Sequence, residues 1–81
     1  MVTAGEIHNI VTVPEIRLPY NAVIAFNNQN FGVSTSLRFK EGSKVIVKGI
    51  VTRGFHERLT GSGWKRDKEV YYIIVTEIEE I

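Results

Sequence analysis

Lys44-Val45-Ile46-Val47-Lys48-Gly49-Ile50-Val51-Thr52-Arg53 is the stretch on which the fold turns. Val45, Val47 and Val51 fall on one side of an extended chain, and Lys44, Lys48 and Thr52 on the other. That is the period of two expected of a strand with one buried face. Gly49 sits in the middle of it, where a glycine marks a bulge, a bend at a barrel corner or a close backbone approach.

Working outward, nearly every periodic segment reads as strand. Glu41-Gly42-Ser43 is a turn before the central stretch. Val70 to Ile78 is the last strand, with Val70, Ile73, Ile74, Val75 and Thr76 β-branched and two tyrosines among them. Upstream, residues 6–13 are rich in β-branched side chains and end at Pro14. Residues 21–27 form a short apolar run that stops at Asn27-Asn28-Gln29-Asn30, a good hairpin turn. Residues 32–38 make a weaker third strand, because Ser34 and Ser36 replace apolar residues. Ser36 to Gly42 has a helical look but is too short for a helix to be predicted. Between Gly54 and Glu69 lies a long polar connection containing Gly61-Ser62-Gly63, and so long a connection in a small domain is functional or mobile as a rule. Five strands, short links and one strand bent at a glycine predict a small closed Greek-key barrel, since closure removes exposed strand edges.

Several of these segments resemble the bacterial single-stranded DNA-binding protein family and its tailless relatives, the primosomal replication protein N family. Pro14-Glu15-Ile16-Arg17 resembles the Pro-Glu-Leu-Arg after that family's first strand. Asn21-Ala22-Val23-Ile24-Ala25-Phe26 is similar to its second strand. Glu41 to Gly49 resembles its Lys-Gly-x-x-Val-x-Val-x-Gly fourth strand, continuing into Thr52-Arg53 and an aromatic, here Phe55. Tyr71 to Ile78 is similar to its closing strand. The likeness covers most of the chain in the right order and implies a five-stranded OB-fold, all-β, as one domain over residues 1–81. Two departures accompany it: Phe31 to Phe39 leaves little space for the family's helix, and the family's glycine-rich linker and the acidic tip beyond it are absent, as the chain stops at Ile81. The second puts recruitment of other proteins outside the expectation.

Composition is consistent with a folded domain. Hydrophobic residues make up 43% and charged residues 23% of 81, which argues against disorder and leaves room for one domain. There is no cysteine, so a disulfide framework and a thiolate metal site are excluded, as suits a reducing cytoplasm. Met1 to Gly5 does not read as a signal peptide, and no apolar run approaches a membrane span, so a soluble cytoplasmic protein without a membrane partner is expected. The net charge of +1 hides an uneven distribution. Arg38 through Lys68 carry nine basic residues against Glu41, Glu57 and Asp67, whereas Glu77, Glu79 and Glu80 make an acidic end.

Single-strand binding needs cations that follow phosphates and flat apolar faces on which bases stack. The segment 53–72 interleaves the two: Arg53, Phe55, Arg58, Trp64, Lys65, Arg66, Lys68, Tyr71 and Tyr72. Trp64 lies beside Gly63 and before Lys65-Arg66, where a core role is hard to supply. Its alternatives are a lid over the barrel end or a contact with another subunit. Phe55 ends the fourth strand near the family's stacking aromatic. Tyr71 and Tyr72 point to opposite faces, and with Tyr72 in phase with Val70 and Ile74, Tyr71 is the outward one. Lys44 and Lys48 share the outward face of the fourth strand, available for phosphate or simply solvated. Phe26 and Phe39 read as core, and Phe31 fits either use.

A search for catalysis finds little. His8 and His56 stand in no metal-ligand spacing, the three terminal carboxylates read as a solvated edge, and no phosphate loop or nucleophile elbow is present. The expectation is therefore a non-enzymatic, cofactor-free, sequence-tolerant single-stranded DNA-binding barrel, assembled as a homodimer or homotetramer. Strands two to five and the segment 54–69 would form its groove. Two alternatives stay open: an RNA-binding OB-fold, and a barrel serving only protein–protein assembly with Trp64 and Tyr71 as interface anchors.

Overall fold

In the computed structural model, which describes all of residues 1–81, the chain is all-β and forms one six-stranded sheet. The strands are β1 (Val2–Asn9), β2 (Ile16–Arg17), β3 (Ala22–Phe26), β4 (Gln29–Ser34), β5 (Lys44–Thr60) and β6 (Gly63–Glu80). Five of them close into a ring in the order β1-β3-β4-β6-β5 and back to β1. Every pairing in it is antiparallel except that of β4 with β6. The sixth, β2, lies outside the ring against β5.

Ring closure depends on two bends where backbones come very close. β1 serves two neighbours, pairing with β5 through Val2–Glu6 and with β3 through Glu6–Asn9. Gly5 lies at this switch, and a Cβ there would stand 2.3 Å from the Ala25 carbonyl oxygen. Gly49 has the same role in β5, where a Cβ would stand 2.2 Å from the Ile74 carbonyl oxygen. Opposite it, Lys48 faces Glu77 and Gly49 faces Val75, so Thr76 is the extra residue of a β-bulge. The Thr76 hydroxyl donates to the Lys48 carbonyl at 3.1 Å and fills the gap. The bulge also corrects the alternation of β6, letting Ile73, Val75 and Ile78 all stand in the row opposite Val51, Gly49 and Val47.

Inside the ring Ile7, Ala22, Ile24, Val33, Val45, Val47 and Ile73 are buried, with Phe31, Phe39, Val75 and Ile78 packed against them. Each buried aliphatic contributes roughly 1.5–3 kcal/mol, so a core of this size leaves much of the stability to the ladder and to the connection across it. That connection, residues 35–43, is neither strand nor helix. It is tied to the ring at several places. The Asn21 side chain donates to the Thr35 carbonyl at 2.7 Å and accepts from its N–H at 3.1 Å. Gly42 N–H donates to the Ile7 carbonyl, and Ile7 N–H to that of Ser43. Glu41 accepts from the Asn9 N–H at 2.7 Å and lies 2.6 Å from His8 Nδ1. The Asn9 hydrogen bond above all, then the His8 ring, holds the Glu41 carboxyl below its ordinary range.

Several expectations from the sequence are corrected here. The first strand is Val2–Asn9, not 6–13, because β1 finds its partners in β5 and β3, and Val11 and Val13 are left exposed. The β3–β4 hairpin turns in two residues, Asn27 and Asn28, at φ 49° and 62°. Both lie in the left-handed region that tight hairpin turns need and Asn tolerates, so Gln29 already pairs with Phe26 and the strand ends at Ser34. Phe26, expected in the core, is 53% exposed at the ring's rim. The sheet has six strands, not five.

The largest correction is the segment 54–69. It is no loop: β5 and β6 run on past the ring and pair down to Thr60 and Gly63, turning through Gly61 and Ser62. Both faces of this ribbon are largely solvated, so its sequence lacks the apolar alternation that marks a half-buried strand. The projection accounts for the elongated molecule, 45 Å in its longest dimension against 24 and 22 Å.

Candidate nucleic-acid interface

The β5–β6 ribbon has two faces, set by which residues stand opposite each other. Val45 and Val47 point into the ring, and the same row of β5 continues outward as Val51, Arg53, Phe55, Glu57 and Leu59. Their partners on β6 are Ile73, Tyr71, Glu69, Arg66 and Trp64. The other face carries Thr52, His56, Arg58 and Thr60 from β5, with Tyr72, Val70, Lys68 and Lys65 from β6.

The three aromatics Trp64, Phe55 and Tyr71 therefore share one face with Arg53 and Arg66. Strict alternation along β6 would forbid this, since 64 and 71 differ in parity. A second bulge resolves it: His56 faces Lys68 and Glu57 faces Arg66, leaving Asp67 as the extra residue. Tyr71 is 67% exposed, while Trp64 and Phe55 are half-buried. Each of the latter has a guanidinium over its ring. Arg66 lies 4.2 Å from the Phe55 centroid, and Arg17 lies 3.8 Å from that of Trp64. Arg53, opposite Tyr71, reaches Glu69 only at 3.9 Å with both side chains substantially exposed, a pair worth little and readily exchanged for another anion.

Arg17 has no place in the sequence-based site, although it stands in the Pro14–Arg17 segment. β2 delivers it. Ile16 and Arg17 pair with Arg58 and Glu57, and the Leu59 N–H donates to the Glu15 carbonyl at 2.8 Å. This two-residue strand covers the outer edge of β5 and puts Arg17 on the aromatic face. The signal available in the sequence was a lone cation before Pro19; knowing that it meets Trp64 required the register.

The opposite face is basic, with Arg58, Lys65 and Lys68 exposed and no carboxylate among its paired residues. Near the ring Tyr20 packs onto it. The Tyr20 phenol and His56 Nε2 are 2.9 Å apart, and its ring centroid lies 6.3 Å from that of Tyr72. Tyr72 is half-buried there and Tyr71 is the more exposed tyrosine, but the phase expected from the sequence is reversed. Tyr71 shares its row with the buried Ile73 and Tyr72 with the exposed Ile74, and Tyr71 is open because its row has left the ring. The His56 imidazole is occupied by this contact.

Of the ten predicted residues, Arg53, Phe55, Trp64, Arg66 and Tyr71 meet on the aromatic face, and Arg58, Lys65 and Lys68 on its reverse. Lys44 and Lys48 are not brought to either. They project from the ring's outer surface, Lys44 opposite Glu6 and Lys48 opposite Glu77, so the local charge there is mixed.

Five strands in a ring, extended by a two-faced ribbon of aromatic and basic residues, define an all-β protein with a projecting arm. No family model, curated protein or solved structure matches the chain.

Proposed function

We propose that this chain is an OB-type Greek-key barrel that binds single-stranded DNA with little sequence preference, using the ribbon as its grip. The fold reading is supported by the strand order. β1, β3 and β4 are successive neighbours and β5 returns beside β1, the order of a Greek key, with β6 completing the circuit. The binding reading is carried by one observation, the alignment of Trp64, Phe55 and Tyr71 with Arg17, Arg53 and Arg66 on a single face. Bases have flat apolar faces and phosphates have charge, and this surface interleaves groups that suit both. The six residue steps from Arg53 to Leu59 extend about 20 Å at roughly 3.3 Å per residue, enough for a few nucleotides. With bases against the aromatic face, the backbone can pass along the unpaired edge of β6 toward Lys65 and Lys68.

Assembly into a homodimer or homotetramer belongs to the same proposal. Val2, Ile46, Ile50 and Ile74 are exposed on the ring's outward rows, away from the aromatic face.

Trp64 is the only tryptophan, so its fluorescence reports on the site directly. Titration with oligo-dT at low and higher salt is expected to quench it, with weaker binding at higher salt and no response to duplex DNA. Tighter binding of oligo-U would move the reading to RNA. Failure of every strand to bind at low salt, by fluorescence and by an independent assay, would leave a protein-interaction barrel as the better account.

A further inference from the structure

Where the ribbon leaves the ring, the aromatic face runs into a depression of about 200 Å³ lined by Met1, Phe31, Val51, Tyr71 and Ile73, with the Gly32 and Tyr72 segment beside them. Val51 and Ile73 stand opposite each other in the row that continues the core, yet Ile73 is buried and Val51 is 51% exposed. Phe31 packs on the core from the β4 side. The walls are aliphatic and aromatic, and no charged side chain lines them. Tyr71 belongs both to this depression and to the stacking face. Arg53, directly across from Tyr71, stands at its edge with an exposed guanidinium.

We propose that this depression receives one base of the bound strand and favours thymine. The inference rests on the single-strand reading above and deepens it by assigning a subsite with a preference. An apolar site open to solvent on one side fits a planar base whose inner edge is apolar and whose polar groups stay toward the mouth. Thymine presents such an edge in its 5-methyl group, whereas adenine and guanine carry N7, and cytosine its amino group, toward the corresponding edge. A polar edge buried against Phe31, Val51 and Ile73 would lose water without gaining a partner. Tyr71 stacks on the base from the ribbon side, and Arg53 is placed to meet the adjoining phosphate. The strand is thereby anchored at the root of the ribbon as well as along its face.

Oligo-dT and oligo-dU of equal length isolate the methyl group, because sugar and phosphates are identical. Burying one methyl is expected to give tighter binding of dT by about threefold to fourfold. Val51→Thr keeps a β-branched side chain in the strand but puts a hydroxyl into the wall, and the dT/dU ratio of that variant is expected to fall toward one. Equal binding of dT and dU by the unmodified protein would overturn the subsite and leave the ribbon reading intact. A dT preference that persists undiminished in Val51→Thr would place the discrimination elsewhere and likewise overturn it. If neither strand binds, the single-strand reading itself fails, and the subsite with it.

Discussion

Replacing Trp64 by Ala tests whether the ribbon acts by stacking. Arg17 covers one face of the indole at 3.8 Å, so the indole offers at most a single stack to be lost. One base–aromatic stack contributes roughly 1–3 kcal/mol, which converts to weaker oligo-dT binding by about 5- to 140-fold. The substitution removes no charge, so the dependence of log K on log salt should keep its slope. Arg66→Ala, two positions along the same strand, should instead lower that slope by about 0.7 if Arg66 meets one phosphate. Trp64 lies outside the buried core, and its loss of the Arg17 contact is worth about 0.5–1 kcal/mol, so the ring should still melt cooperatively. Because the variant lacks the intrinsic probe, binding is read by anisotropy of a labelled oligonucleotide, with thermal melting as the control for folding. Binding of Trp64→Ala within twofold of the unmodified protein would refute the stacking role. A loss accompanied by a changed salt slope would show that Trp64 acts through its cationic neighbours instead.

Gly49→Ala should destabilise the ring by about 1–3 kcal/mol or more, since its Cβ would stand 2.2 Å from the Ile74 carbonyl oxygen, whereas Gly61→Ala meets nothing within 4 Å and should leave the melting temperature nearly unchanged. Lys48→Ala should leave both oligo-dT affinity and salt slope close to those of the unmodified protein, because Lys48 faces Glu77 on the ring and not the ribbon; a slope reduced by about 0.7 would put the groove elsewhere. The Glu41 carboxyl is held below its ordinary value of 4.5, so it binds its proton less readily folded than unfolded. Its contribution is therefore present above that value and is lost as the pH falls through its lower folded value. Melting curves between pH 7 and pH 3 should show a smaller acid-side loss for Glu41→Gln than for the unmodified protein, and equal losses would remove Glu41 from the account.

The sequence by itself determined the all-β class and the buried row of the central strand. Val45 and Val47 alternate with Lys44, Ile46 and Lys48, and the only stable place for such a row is against another apolar face. It also marked Gly49 as a bend and singled out Trp64, Phe55, Arg53, Arg66 and Tyr71, because aromatics among cations in a polar segment have few uses in a core. The extent of the ribbon was not legible in the same way. Residues 54–69 are largely solvated on both faces, and Phe55, Leu59 and Trp64 are too widely spaced among polar residues to give the hydrophobic period that distinguishes a strand from a loop. Arg17 was hidden for a related reason, since its partner is chosen by a two-residue strand whose pairing depends on the completed edge of β5. Which side chains share a face was decided only in the tertiary structure. Alternation counted from Tyr71 would send Trp64 and Arg66 to the reverse of the ribbon, and the bulge at Asp67 brings them back. A bulge is a property of two strands in register, held by ladder hydrogen bonds between residues far apart in the chain, so one strand's sequence does not specify it.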